Sequence, residues 1–198
     1  MFVIGLTGSI GMGKTTTAQL FAQAGVPVHD ADATVHGLYE GKAVAAIEAA
    51  FPGTTKDHKV DRAMLSRRIL GDADALRRLE AIVHPLVRET EARFLARAEK
   101  SGARTALLDI PLLFETGGDK RVDAVVVVSA PAGVQRARVL ERGISLAQFE
   151  ALLARQMPDA EKCRRADFVV DTSRGIESAR AQVQDILAAV SKLPLRRQ

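Results

Sequence analysis

Gly8-Ser9-Ile10-Gly11-Met12-Gly13-Lys14-Thr15 is the stretch whose reading decides the fold. It fits G-x-x-x-x-G-K-[ST], the pattern of a phosphate-binding loop. Phe2 to Thr7, before it, reads as a short buried strand. After it, Thr17, Leu20, Phe21 and Ala24 recur at helical spacing, and Gly25 suits the position just past a helix end. Gly8, Gly11 and Gly13 let the backbone come close to a polyphosphate. Inward N–H groups then form an anion nest, and the helix starting near Gly13 adds its positive dipole end. In this pattern Lys14 reaches the β- and γ-phosphates and the Thr15 hydroxyl holds Mg2+. A Gly-rich turn that binds nothing is the plainer alternative; strand, full motif and helix in register argue against it.

Outward from the loop, strands and helices alternate. Val26 to His29 reads as a second strand, ended by Asp30-Ala31-Asp32. In a parallel sheet, ligands sit beyond the carboxyl ends of strands, so these acids and the loop are expected on one edge. One of the two acids could instead cap the helix beginning near Ala33. That helix spans 33–51 with a break near Gly41. Residues 54–101 read as a purely helical insertion, in which Pro85 ends one helix at about His84 and starts the next. His84 then stands at a helix junction, where it could equally satisfy a loose backbone group. Thr105 to Asp109 is a strand ending in an acid, either on the magnesium side or a cap. Pro111-Leu112-Leu113-Phe114-Glu115 is an apolar loop with one acid at its end. Val122 to Val128 is a buried, interior parallel strand. Arg138 and Arg142, four apart, share a helix face, and residues 145–165 are again helical. They read as a lid over phosphates or as a solvated charged face. Phe168 to Asp171 is the last strand, residues 176–190 the closing helix, and the tail from Pro194 is expected to fray.

Composition narrows the class. The 198 residues suit one domain, and 47% hydrophobic content supplies an aliphatic core without Trp. A single cysteine, Cys163, forbids an internal disulfide and suits a reducing compartment. No signal peptide and no run near ~20 apolar residues is present, so a cytoplasmic protein with no membrane partner is expected. The net charge of +4 comes from scattered basic residues without interleaved aromatics. A polyanionic small molecule explains it better than nucleic acid.

Taken together, Thr7-Gly8 with the loop, Asp30-Ala31-Asp32, His84-Pro85-Leu86, Pro111 to Glu115 and the Arg138/Arg142 helix resemble the dephospho-CoA kinases, in order and spacing, over nearly the whole chain. The resemblance implies an α/β P-loop NTPase fold: a five-stranded parallel sheet flanked by helices, with a helical substrate-binding insertion and a helical lid. The parts would be a core (1–53, 102–135, 166–198), an insertion for CoA (54–101) and a lid (136–165). It implies phosphorylation of the ribose 3′-hydroxyl of dephospho-CoA by ATP with Mg2+, the last step of coenzyme A synthesis. By position, Gly11, Met12, Gly13, Lys14, Thr15, Thr16, Arg138 and Arg142 would bind ATP. Asp32 would orient or deprotonate the hydroxyl, with Lys14, Arg138 and Thr7 near the reacting groups. His84, Leu113 and Glu115 would join Asp32 on the substrate, and Asp109 would be a second candidate on Mg2+ beside Thr15. A monomer is expected, with an oligomer left open. Departures from the family pattern are Ser9, His58 in place of a common Gly, a shortened stretch after Tyr39-Glu40, and Asp171-Thr172-Ser173 after the last strand. The rivals are another small-molecule P-loop kinase and a nucleotide switch; Asn-Lys-x-Asp and Leu-Ser-Gly-Gly-Gln motifs are missing.

Overall fold

The computed structural model describes residues 1–194. The elements in chain order are β1 Phe2–Thr7, α1 Lys14–Gln23, β2 Val28–Asp30, α2 Ala31–Tyr39, α3 Val44–Ala50, β3 Thr55–Lys56, β4 Lys59–Val60, α4 Arg62–Ile69, α5 Ala73–Lys100, β5 Thr105–Asp109, a 3-10 turn Gly118–Arg121, β6 Ala124–Ser129, α6 Ala132–Glu141, α7 Leu146–Leu153, α8 Asp159–Arg165, β7 Phe168–Asp171 and α9 Ile176–Val190. Beyond Pro194, the expected fraying lies outside the described residues. Contacts divide the chain into two compact units, Met1–His29 with Arg97–Gln198, and Asp30–Ala96.

The first unit is built on a five-stranded sheet of order β2-β5-β1-β6-β7. β1 pairs in parallel with β5 and β6, and β6 with β7. The Val run of β6 has neighbours on both sides, which accounts for its burial. Ile4, Leu6, Phe21, Val126, Val128, Val183 and Ile186 join β1, α1, β6 and α9 in one aliphatic core. In this register Leu6 stands opposite Asp109 on one side and Val126 on the other. The strand carrying the loop therefore ends beside the acid of β5.

The second unit has its own core of Leu38, Ile47, Phe51, Leu65, Leu79 and Val83. It begins at Asp30, earlier than the expected insertion at 54, and it is not purely helical. A β3–β4 hairpin turns on Asp57 (φ 50) and His58 (φ 59), both left-handed. His58 thus stands where glycine would cost nothing sterically.

Pro85 does not end a helix. α5 runs unbroken from Ala73 to Lys100 with Pro85 inside it. Proline removes the N–H that the Ala81 carbonyl would accept and costs about 3 kcal/mol in a helix interior. The apolar face offsets this: Ala75, Leu79 and Val83 before the proline and Leu86 and Val87 after it pack on the same core. Pro85→Ala is therefore expected to stabilise the chain by up to ~3 kcal/mol. A higher urea midpoint at unchanged slope would show it; an unchanged midpoint would mean that the proline is accommodated without cost.

Candidate active site

The loop after β1 is held open by two left-handed glycines. Gly11 has φ 79, and a Cβ there would meet the Val139 side chain at 2.5 Å. Gly13 has φ 94 and caps α1 with its backbone alone. Around them the loop is tied at several atoms. Ile10 N–H donates to Gln156 Oε1 at 3.3 Å, and Gln135 Nε2 donates to the Ile10 carbonyl at 2.8 Å. The Thr172 hydroxyl donates to the Met12 carbonyl at 2.8 Å, and Ala130 N–H donates to Met12 Sδ at 3.1 Å.

The first turn of α1 carries the charge. Lys14 Nζ lies 2.6 Å from Asp109 Oδ1, and the Asp109 side chain is 5% exposed. The β1–β5 register brings the two together. Thr15 and Thr16 are exposed on the same turn. Oxygen donors at Thr15 and Asp109 suit a hard cation that keeps most of its ligands from water and phosphate. No group of three or more acidic, His or Cys side chains able to hold a metal occurs among the described residues.

Beside α1, a cavity of about 530 Å³ is lined by Gly13, Thr16, Arg138, Arg142, Thr172 and Gly175, among others. The Arg138 guanidinium donates to the Thr172 hydroxyl at 2.9 Å and to its carbonyl at 2.8 Å. Asp171 is held below the usual carboxylate range by Ser173, whose N–H it accepts at 2.8 Å, with Arg174 and Arg138 adding smaller effects. Of the Asp-Thr-Ser departure, Thr172 lines the cavity.

Two expected site residues have other work. Thr7 is fully buried, and its hydroxyl donates to the Pro111 carbonyl at 2.9 Å. It fixes the loop after β5. Leu113 is fully buried against Gly5 and Gly118, which makes it core, not a substrate contact. Glu115 turns to the segment from Met157 into α8: it accepts Met157 N–H at 2.8 Å, and Lys162 Nζ lies 3.1 Å from its Oε1. Burial alone would raise the Glu115 pKa, but Met157 N–H and the Lys162 charge hold it below the usual range. Burial pushes the Cys163 thiol up, with the neighbouring Asp159 adding to it.

In the second unit, Asp30 caps α2 by accepting Ala33 N–H at 2.9 Å. The helix starts at Ala31, two residues before the expected start near Ala33, and Asp30 is the acid that caps it. Asp32 sits in the first turn of α2, exposed. His84 is half-buried in the middle of α5, not at a junction.

The model of the dephospho-CoA kinase family matches residues 2–178. This chain belongs to the dephospho-CoA kinase family. Among relatives carrying that name, one from Rhodopseudomonas palustris (strain BisB18) is 66% identical over 198 residues, all of both chains. Another, from Brucella melitensis, is 57% identical over 195 residues, 98% of each chain. A crystal structure from Thermus thermophilus superposes with a TM-score of 0.85 at 34% identity, covering 98% of both chains. The dephospho-CoA kinase from Campylobacter jejuni, 23% identical, shares the fold with a TM-score of 0.65, over 96% of this chain and 98% of that one. The chain is thus a P-loop kinase, a phosphotransferase with an alcohol acceptor. No described helix is long and apolar enough to cross a membrane.

Sequence reasoning missed Gln135, Gln156, Thr172 and Lys162. Gln156 falls between two helices and Gln135 on one, with no local pattern to mark either. Lys162 is fully buried, which its place in a run of charged residues gives no reason to expect.

Proposed function

We propose that the enzyme transfers the γ-phosphoryl group of ATP to the ribose 3′-hydroxyl of dephospho-CoA, the step that completes coenzyme A. Family membership over the full chain carries the substrate assignment. The pair between Lys14, at the start of α1, and Asp109, at the end of β5, carries the chemistry.

The loop backbone from Gly11 to Thr16 receives the β- and γ-phosphates, and Lys14 turns from Asp109 to them. Thr15, with Asp109 as the second candidate, would hold Mg2+, which would offset negative charge on the phosphates. Arg142 lines the cavity that takes the nucleoside end. Arg138 leaves Thr172 to meet the transferred group, where fixed positive charge counts most in the transition state. Asp32 accepts the proton of the attacking hydroxyl or orients it, and His84 contacts the acceptor. Phosphoryl transfer needs little else from the protein, since positioning and charge do most of the work. A monomer working in the cytoplasm, without nucleic acid, completes the reading; the single cysteine is in keeping with that compartment.

Product mapping tests the site of transfer. The product made from dephospho-CoA should carry one new phosphomonoester, removed by a 3′-nucleotidase. A product resistant to that enzyme would move the attack to another hydroxyl.

A further inference from the structure

Four residues of the lid root fasten it to the end of β6 and to the segment after β5. The Ser129 hydroxyl, at the end of β6, donates to Asp159 Oδ2 at 2.6 Å. Arg165 donates to Asp119 Oδ2 at 2.9 Å, and its guanidinium lies 4.4 Å from the centre of the Phe114 ring. Lys162, 0% exposed, faces Glu115 as an ion pair whose direction falls short of hydrogen-bond geometry. The fourth contact fixes the turn before α8, where the Glu115 carboxylate accepts Met157 N–H. Immediately before Met157, the Gln156 side chain reaches the loop and accepts Ile10 N–H. From the other side, buried Gln135 donates to the Ile10 carbonyl. Ile10 immediately precedes left-handed Gly11, so two glutamine amides grip the loop where its backbone turns.

We propose that Gln156 is a positioning residue for the nucleotide, held by Glu115 through Met157 N–H and keeping the crown of the phosphate-binding loop in its binding shape. The reasoning is one of preorganisation. A loop already fixed loses less freedom when the triphosphate arrives, so affinity rises without a new contact to ligand. Lys162 and Asp159 set the root, Glu115 sets Met157, and Gln156 sets Ile10. The inference rests on the assignment of this loop to the ATP phosphates.

Gln156→Met tests it, because the side chain keeps its length and loses the acceptor. One net hydrogen bond of about 0.5–1.5 kcal/mol corresponds to roughly a two- to tenfold rise in ATP dissociation constant. Calorimetric titration of ATP and steady-state kinetics should show this rise in ATP dissociation constant and KM. The dephospho-CoA KM should not move, and the thermal midpoint should fall by no more than a few degrees. Gln156→Glu, which keeps the acceptor, should leave the midpoint unchanged and weaken ATP further through its added charge. Glu115→Ala with Lys162→Met removes the anchor without leaving a buried unpaired charge. That pair should weaken ATP in the wild-type background and add little to Gln156→Met. Unchanged or tighter ATP binding by Gln156→Met would overturn the proposal. So would a drop in thermal midpoint with both KM values rising together. Lys14→Ala separates the levels: if it binds ATP as well as the wild type does, the loop assignment itself fails. If only the Gln156 variants bind normally, the positioning role alone fails.

Discussion

Arg138→Ala is expected to lower turnover by ~10³–10⁵-fold while ATP affinity changes much less, the signature of an arginine acting on a transferred phosphoryl group. The geometry supports a fixed, reusable position. Two donors of the guanidinium grip the hydroxyl and the carbonyl of Thr172, at the wall of the cavity that also includes Gly13. The side chain is thus held extended and half-ready, and only its Thr172 bonds must be exchanged. Arg138→Lys should recover little, since an ammonium cannot reproduce the planar fork. Steady-state rates over an ATP titration would separate turnover from affinity. Unchanged turnover in Arg138→Ala would demote this residue and shift the role to Arg142.

Asp32→Asn is expected to cost ~10²–10⁴ in turnover, the usual worth of a positioned general base. Asp30 provides the internal control. Its carboxylate is already engaged, accepting Ala33 N–H as the helix cap, and Asn caps a helix about as well as Asp does. Asp30→Asn should therefore be near normal in stability and rate. Asp32 is exposed in the first turn of the same helix, and no helix cap depends on it. Its charge there favours the helix dipole by only about 0.3–1 kcal/mol, so the variant should fold. Near-normal turnover in Asp32→Asn would remove it from the proton transfer.

What the sequence could and could not reveal follows from the range of each interaction. The loop, β5, β7 and α9 were legible because their signals are local: a fixed motif, short apolar runs, one helical period. Pro85 was misread because the burial of Leu79, Val83, Leu86 and Val87 outweighs the local cost of proline, and burial is a property of the folded unit. The Asp57-His58 hairpin was hidden because neither residue is the glycine that usually marks such a turn. The site was half legible. Asp109 ends β5 beside β1, and Lys14 opens α1 just after the loop that follows β1, so the motif and the strand end are each marked locally. Thr7, Leu113 and Glu115 carry family positions, while their neighbours Pro111, Gly118 and Met157 lie at separations that no local pattern marks. The grip of Gln135 and Gln156 on Ile10 spans more than a hundred residues, and no spacing rule reaches that far.

Coupled ADP release with ATP and Mg2+ tests the central claim most directly, with no acceptor, with dephospho-CoA, and with AMP, CMP and gluconate as controls. The expected result is rapid ADP release with dephospho-CoA alone. Equal slow release in every tube would contradict it, describing a nucleotide hydrolase or switch, and the roles given to Asp32 and His84 would fall.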